Sequence, residues 1–196
     1  MARKVDVRIR DATLEDAAEI EAIYEYYVHH STCTFQLKPD GVGAREEWFR
    51  ARTERHPVVV AEVASNERWV VAAWGSLSAF RSREAYQRTV ETSLYVSIDY
   101  TGLGLGRTIL EHLLERARST GAHCVIGAVA VEGEGRSGSA EGGQEQENHS
   151  HSGEVSFSDR SIALHLKYGF KQVGRLREVG HKFGRWLDVV MMQLML

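Results

Sequence analysis

The chain has 196 residues, 43% of them hydrophobic, with 24 Lys and Arg against 27 Asp and Glu and a net charge of -3. That suits one α/β domain around a single core and does not resemble a basic nucleic-acid binder. No apolar run approaches a membrane span and "MARKVDVRIR" has no apolar signal region, while Cys33 and Cys124 form no CxxC motif, so a reduced cytoplasmic setting is expected.

The first element is "VDVRIRDA", where Val5, Val7 and Ile9 alternate with charged residues as in a half-buried strand. A helix follows over 13–30: Thr13 and Asp16 form a capping-box variant, and Ala17, Ile20, Ile23, Tyr24 and Tyr27 recur at helical spacing. "GAREEWFRARTERH" predicts a second helix closed by Pro57. "PVVVAEVA" and "RWVVAAWGSLSAF" predict two strands turning at "SNE", and "RTVETSLYVS" a fourth. Beyond a glycine-rich turn, Leu105, Ile109, Leu110, Leu113, Leu114 and Ala117 make one apolar stripe, and "AHCVIGAVAV" reads as a buried strand.

From about residue 132 to 157 the composition becomes Gly, Ser, Glu and Gln, as in a disordered insertion within one domain. Order resumes with the helix "SDRSIALHLKYGF", then "KQVGRLREVG" and "WLDVVMMQLML" as closing strands. Strand and helix order predicts a mixed α/β fold.

The junction "YTGLGLGR" places Gly102, Gly104 and Gly106 between a strand and a helix. Unpaired N–H groups at a helix start favour anions, and glycines let a phosphate approach; a plain tight turn is the alternative. The residue three after Gly104 is Arg107, so this is not GxGxxG, and no GK[ST] follows.

The spacing resembles the Q/R-x-x-G-x-G/A loop of the GNAT superfamily of N-acyltransferases, with Thr101 where Gln or Arg is usual. "RIRDATLEDAAEIEAIYEYYVHHSTCTF", "REAYQRTVETSLYVSIDYTGLGLG" and "ALHLKYGFKQVGRLREVGHKFGRWLDVVMMQ" extend the resemblance to its phosphinothricin acetyltransferase branch. The resemblance implies a mixed, mostly antiparallel central sheet flanked by helices, in one acetyltransferase domain. It also implies acetyl-coenzyme A as cosubstrate, a small amine or amino-acid acceptor and a homodimer; from composition and residue pattern no metal and no nucleic-acid or membrane partner is expected.

N-acetylation needs an amine stripped of its proton, a stabilised oxyanion and a protonated thiolate. Glu91 shares a strand face with Thr89, Ser93 and Tyr95. From the residues alone it is either a base in a cleft or a carboxylate reaching solvent; the resemblance implies the base. His165 is either a core histidine or a proton carrier, and the resemblance implies the donor to the thiolate.

For the cofactor the resemblance implies Leu94, Tyr95 and Val96 beside the pantetheine. It implies Thr101, Gly102, Leu103, Gly104, Leu105, Gly106 and Arg107 at the pyrophosphate, with Ser158 and Ser161 from the last helix. Ser158 replaces the branch's asparagine. For the acceptor it implies Phe35, Arg81, Arg83, Tyr86 and Tyr95, since guanidinium forks suit oxyanions. His181, Lys182, Arg185 and Trp186 are weaker candidates. His149 and His151, flanked by serines, lack the company of metal ligands. Acetylation of a polyamine or peptide N-terminus, or a coenzyme-A-binding sensor with little turnover, are the competing readings.

Overall fold

The computed structural model describes residues 5–65, 68–133 and 156–196. The chain runs β1 (Val7–Asp11), a 3₁₀ turn (Leu14–Asp16), α1 (Ala17–His30), α2 (Gly41–Arg50), β2 (Val58–Ser65), β3 (Arg68–Ala79) and β4 (Thr89–Val96). Then come α3 (Leu105–Ser119), β5 (Cys124–Glu132), α4 (Phe157–Lys167), β6 (Lys171–Lys182) and β7 (Arg185–Met195). Seven strands form one sheet in the order β1-β2-β3-β4-β5-β7-β6. All neighbours are antiparallel except β4 and β5. The mixed, mostly antiparallel sheet expected from the sequence is therefore present.

Alternation divides the sheet's side chains between two layers. The α3 stripe, Leu105, Ile109, Leu110, Leu113, Leu114 and Ala117, is buried against Val59, Ala61, Val63, Ala73 and Val90. Burying each large side chain stabilises by roughly 1.5–3 kcal/mol. Gly75 permits this approach: a Cβ there would lie 2.5 Å from Ile109 Cγ2 and 2.9 Å from Leu113 Cδ1. On the other face, Ile20, Ile23 and Tyr27 of α1 pack on Val58, Val60 and Trp74.

The expected capping pair at Thr13 is made from the Asp16 side: its Oδ2 accepts from the Thr13 backbone N–H at 2.7 Å. Asp16 also takes a two-pronged bond from Arg10 at 2.7 and 2.8 Å, and Arg10 reaches Glu62 on β2 at 3.0 Å. Burial raises the Asp16 pKa, but the Arg10 and Thr13 bonds outweigh it and hold the carboxyl below its usual range.

Two sequence expectations need adjusting. The second helix, expected over 43–56, spans Gly41–Arg50 and ends before the charged "ARTERH". There Arg52 N–H bonds Phe49 O and His56 N–H bonds Thr53 O, so the backbone closes into tight turns. The insertion expected over 132–157 is shorter at both flanks: β5 pairs through Glu132 and α4 begins at Phe157. Its interior, residues 134–155 with His149 and His151, lies outside the described residues, as do Asn66 and Glu67 of the expected β2–β3 turn.

The pairing of β4 with β5 shapes the site. β4 pairs with β5 only from Thr89↔Cys124 to Thr92↔Gly127. Beyond that rung β4 stays with β3 up to Val96, while β5 stays with β7 up to Glu132. The two parallel strands diverge, and the sheet opens into a wedge.

Candidate active site

The wedge opens towards the glycine loop. After β4 a 3₁₀ turn, Ile98–Tyr100, leads into Thr101–Gly104 and the start of α3. Gly102 (φ +83°) and Gly104 (φ +78°) are left-handed, which glycine adopts without strain. A Cβ at either would meet nothing within 4 Å, so conformation, not space, demands glycine there. The first N–H groups of α3 lack helical acceptors and carry the positive end of its dipole.

A cleft of about 640 Å³ runs along this loop, lined by Leu94, Tyr95 and Val96 of β4, by Thr101, Gly102, Gly104, Leu105, Gly106 and Arg107, and by Ser161 of α4. All of these were expected cofactor contacts. Its other walls include Tyr27, Phe157 and Arg160. Arg107 of α3 and Arg160 of α4 both bring positive charge to the cleft. Arg107 Nε also donates to Glu111 at 3.1 Å and to Tyr168 Oη at 3.0 Å, tying α3 to the end of α4. Thr101 spends its hydroxyl on its own turn, donating to Ile98 O at 3.1 Å. Leu103 is exposed and does not line the cleft.

Deeper in the wedge, a cavity of about 100 Å³ is lined by Glu91, Thr92, Ser93, Leu94 and Tyr95 on one side and Ser158, Ser161 and His165 on the other. The structure thus brings together the two residues expected to move protons, one from β4 and one from α4. Glu91 is half-buried, and burial lifts its carboxyl above the ordinary carboxylate range. Ser158 Oγ lies 2.9 Å from Ser156 Oγ, within the first turn of α4.

His165 is held firmly. Its Nδ1 lies 2.7 Å from Ser161 O, and because a carbonyl only accepts, Nδ1 carries the proton. Nε2 is buried without a partner among the described residues. The ring lies edge-on to Phe170 and covers Gly127, whose missing Cβ would come within 2.6 Å of Nε2. Burial lowers the imidazole's pKa, so the ring is neutral at neutral pH.

Tyr95 stacks on Trp74 at 4.9 Å, meets Tyr24 edge-on at 5.1 Å and packs against the tilted ring of Tyr27 at 5.5 Å. Burial raises its phenol pKa and pushes that of Tyr27 to about 12. Tyr27 Oη donates to Val96 O at 2.5 Å, fixing the end of β4 from α1.

Apart from Tyr95, the expected acceptor residues fall in less enclosed places. Phe35 presses its ring on Gly180 of β6, where a Cβ would lie 2.3 Å from Phe35 Cε2. Arg81, Arg83 and Tyr86 stand exposed after β3, with Arg81 over the rings of Phe80 and Tyr86 at 5.1 and 5.8 Å. These three line neither the cleft along the glycine loop nor the cavity at Glu91. In the C-terminal hairpin, His181 packs on Trp186, and Arg185 pairs with Glu132 at 2.6 Å. Lys182 is buried and donates to Ser31 O, Thr34 O and Tyr27 O at 2.7, 2.9 and 3.4 Å, clamping the hairpin onto the end of α1.

Sequence reasoning missed a further pocket of about 240 Å³ beside Ser93 and Tyr95. Arg45 and Trp48 of α2, Tyr24 of α1 and Trp74 of β3 build its walls. Arg45 and Trp48, three residues apart in an expected helix, were the available signal.

Among the described residues no group of three His, Cys, Asp or Glu could hold a metal ion. Cys33 and Cys124 are free thiols, and no described helix is long and apolar enough to cross a membrane.

The model of the Acetyltransferase (GNAT) family matches residues 20–136. An L-methionine sulfoximine/L-methionine sulfone acetyltransferase from Pseudomonas paraeruginosa is 36% identical over 95% of this chain and 92% of its own length. The structure of a GNAT superfamily phosphinothricin acetyltransferase from Sinorhizobium meliloti, in complex with acetyl-coenzyme A, superposes with a TM-score of 0.77. It is 31% identical, over 97% of this chain and 88% of that one. A ribosomal-protein-alanine N-acetyltransferase from Brucella melitensis, also 31% identical, has a TM-score of 0.76 over 96% and 99% of the two chains. The chain belongs to the GNAT family of acetyltransferases.

Proposed function

We propose that this acetyltransferase moves the acetyl group of acetyl-coenzyme A onto the α-amino group of a small amino acid of the methionine sulfoximine or phosphinothricin type. One observation carries the reading: the glycine loop and Glu91 open onto the same wedge between β4 and β5. The names of the Pseudomonas and Sinorhizobium relatives support the acceptor class.

In this reading the N–H groups at the start of α3, with Gly102, Gly104, Gly106 and Arg107, hold the pyrophosphate of the cosubstrate. Leu94, Tyr95, Val96, Ser158 and Ser161 line its thiol-bearing arm. Glu91 takes the proton of the acceptor's ammonium, and its burial-raised pKa suits a base. The amine then attacks the thioester carbon in a direct step. The C–N bond forms, the C–S bond breaks, and backbone N–H groups around Leu94 stabilise the oxyanion.

After attack the nitrogen still carries one proton more than the product amide; His165 Nε2, unprotonated at rest because the ring's proton sits on Nδ1, takes up that proton and gives it to the departing thiolate. Its lowered pKa makes the resulting imidazolium a strong donor. The continuous seven-stranded sheet supports reading the whole chain as one acetyltransferase domain. It works as a cytoplasmic homodimer in this reading.

The Brucella relative's name favours a second reading, acetylation of a peptide N-terminus. Acetyl-coenzyme A turnover against free amino acids, polyamines and alanine-leading peptides decides between them. Turnover on methionine sulfone, methionine sulfoximine or phosphinothricin well above the peptides is expected. Preference for a peptide or polyamine would replace the acceptor, and tight coenzyme A binding without turnover on any amine would make the protein a sensor.

A further inference from the structure

The pocket beside Ser93 and Tyr95 contains a guanidinium fixed in place before any ligand arrives. Arg45 Nε donates to Glu21 Oε2 at 2.9 Å, and the arginine side chain is only 11% exposed. Glu21 Oε1 takes the Gly41 N–H at 3.2 Å, so the same carboxylate anchors the start of α2. The guanidinium carbon sits 4.7, 4.8 and 5.4 Å from the ring centres of Tyr24, Trp48 and Trp74. Held on one edge and walled by three rings, this group has lost most of its rotamer freedom and much of its hydration.

Arg45 Nη1 and Nη2 make no hydrogen bond among the described residues, and neither is sealed off as a buried orphan. The remaining walls are neutral hydroxyls and an amide, from Ser76, Ser78, Ser93 and Gln36, with the carboxylate of Asp40. Trp74 adds an Nε1–H buried without a partner among the described residues. Arg52 bonds Ser78 Oγ at 3.2 Å, and its pKa falls to about 10, through burial and then the charge of Arg45. With Glu21 already engaged by Arg45 Nε, the unpaired Nη groups line a space that suits an oxygen-bearing ligand.

The sheet register ties this pocket to the chemistry. Glu91 pairs with Ser78, Ser93 with Ser76 and Tyr95 with Trp74, all on one face. Two residues along a strand span roughly 6.6 Å. The Arg45 rung thus lies two such steps from the Glu91 rung, with Ser93 between. An amino acid lying along β4, amine towards Glu91, extends its side chain towards Arg45.

We propose that Arg45 recognises the acceptor, its free Nη edge donating to an oxygen at the far end of the side chain: a sulfone, sulfoximine or phosphinate oxygen. This rests on the amino-acid acetylation proposed above and names what selects among amino acids. The aromatic walls take the aliphatic stem and methyl group, and the guanidinium takes the oxygen. A thioether such as methionine leaves Arg45 without a partner, which is where discrimination arises.

The experiment measures kcat and KM for L-methionine sulfone and L-methionine with wild type, Arg45→Lys and Ala44→Leu. Ala44 lines the pocket from the exposed face of α2, so its enlargement fills the pocket while leaving the Arg45–Glu21 pair intact. The wild type is expected to favour the sulfone, and Arg45→Lys to lose about 10- to 100-fold of that preference, mainly through the sulfone KM. Ala44→Leu is expected to raise the sulfone KM at an unchanged acetyl-coenzyme A KM, which certifies the fold independently of Arg45. A sulfone preference surviving both substitutions would overturn the proposal while leaving amino-acid acetylation standing. A wild type that acetylates neither amino acid would overturn the reading beneath it.

Discussion

The two ends of the β4–β5 wedge are built from different material. The glycine-loop end is mostly backbone: left-handed Gly102 and Gly104, the first amides of α3 and the last rungs of β4. The acceptor side, running from Glu91 along β4 to the Arg45 pocket, is side chains from separate elements, with Glu21 and Tyr24 from α1, Arg45 and Trp48 from α2, Trp74 from β3 and Ser93 from β4. A backbone site tolerates change in the residues that ride on it. A side-chain site can be retuned by one substitution, which suits an end that must distinguish acceptors.

The largest expected effect lies at the side-chain end. Removing a general base costs about 100- to 10,000-fold in rate, so Glu91→Gln should lower kcat on that scale while leaving the acetyl-coenzyme A KM unchanged. The pH profile sharpens the assignment. A raised carboxyl pKa keeps Glu91 protonated, and useless as a base, to a higher pH than usual, and activity appears as pH rises through that pKa. The acidic limb of kcat/KM should lie above the ordinary glutamate value of about 4.3 and vanish in Glu91→Gln. A limb that persists would assign it to another group.

Next in size is a substitution at the apex of the wedge, where β4 and β5 part. Gly127→Ala would place a Cβ 2.6 Å from His165 Nε2 and 2.8 Å from Cδ2, and the Ser161 bond stops the ring from simply swinging aside. Overpacking of this kind costs about 1–3 kcal/mol, read as a fall of several degrees in Tm. Adding His165→Ala to Gly127→Ala should recover most of that stability. No recovery would mean that the backbone, not the imidazole, requires glycine.

Legibility in the sequence follows the same division. The strands, α1 and α3 were visible because alternation and the helical stripe are local patterns, as Val5, Val7 and Ile9 or Leu105, Ile109 and Leu113 show. The glycine loop was visible because its residues are consecutive. The end of α2 was not, since nothing apolar between Ala51 and His56 marks where the helix yields to turns. Arg45 was also hidden: its meaning depends on Glu21, 24 residues away, and on Trp74, 29 residues away in the opposite direction. The divergence of β4 from β5 after Thr92 and Gly127 belongs to pairing and has no local signature.

At the backbone end the expected effects are smaller. Gly104→Ala forces a side chain to hold φ +78°, costing about 1–2 kcal/mol. It should raise the acetyl-coenzyme A KM and leave the acceptor KM alone. Gly106 provides the control, because its φ is not positive and an added Cβ would meet Leu94, Val96 and Leu164 at ordinary distances of 3.6–3.8 Å. Gly106→Ala should keep its Tm, so any rise in its acetyl-coenzyme A KM reports contact with the cosubstrate.

The smallest effect should come from restoring the residue more usual at the loop's first position. In Thr101→Gln the hydroxyl bond to Ile98 O is lost, but the amides of the loop remain where Gly102 and Gly104 put them. One exposed side-chain hydrogen bond contributes about 0.5–1.5 kcal/mol at most, and here one is exchanged for another, so the acetyl-coenzyme A KM should move by less than about threefold. A fall of tenfold or more would break the comparison. It would show that the glycine-loop end depends on side chains after all, and that the threonine weakens a contact the backbone alone cannot replace.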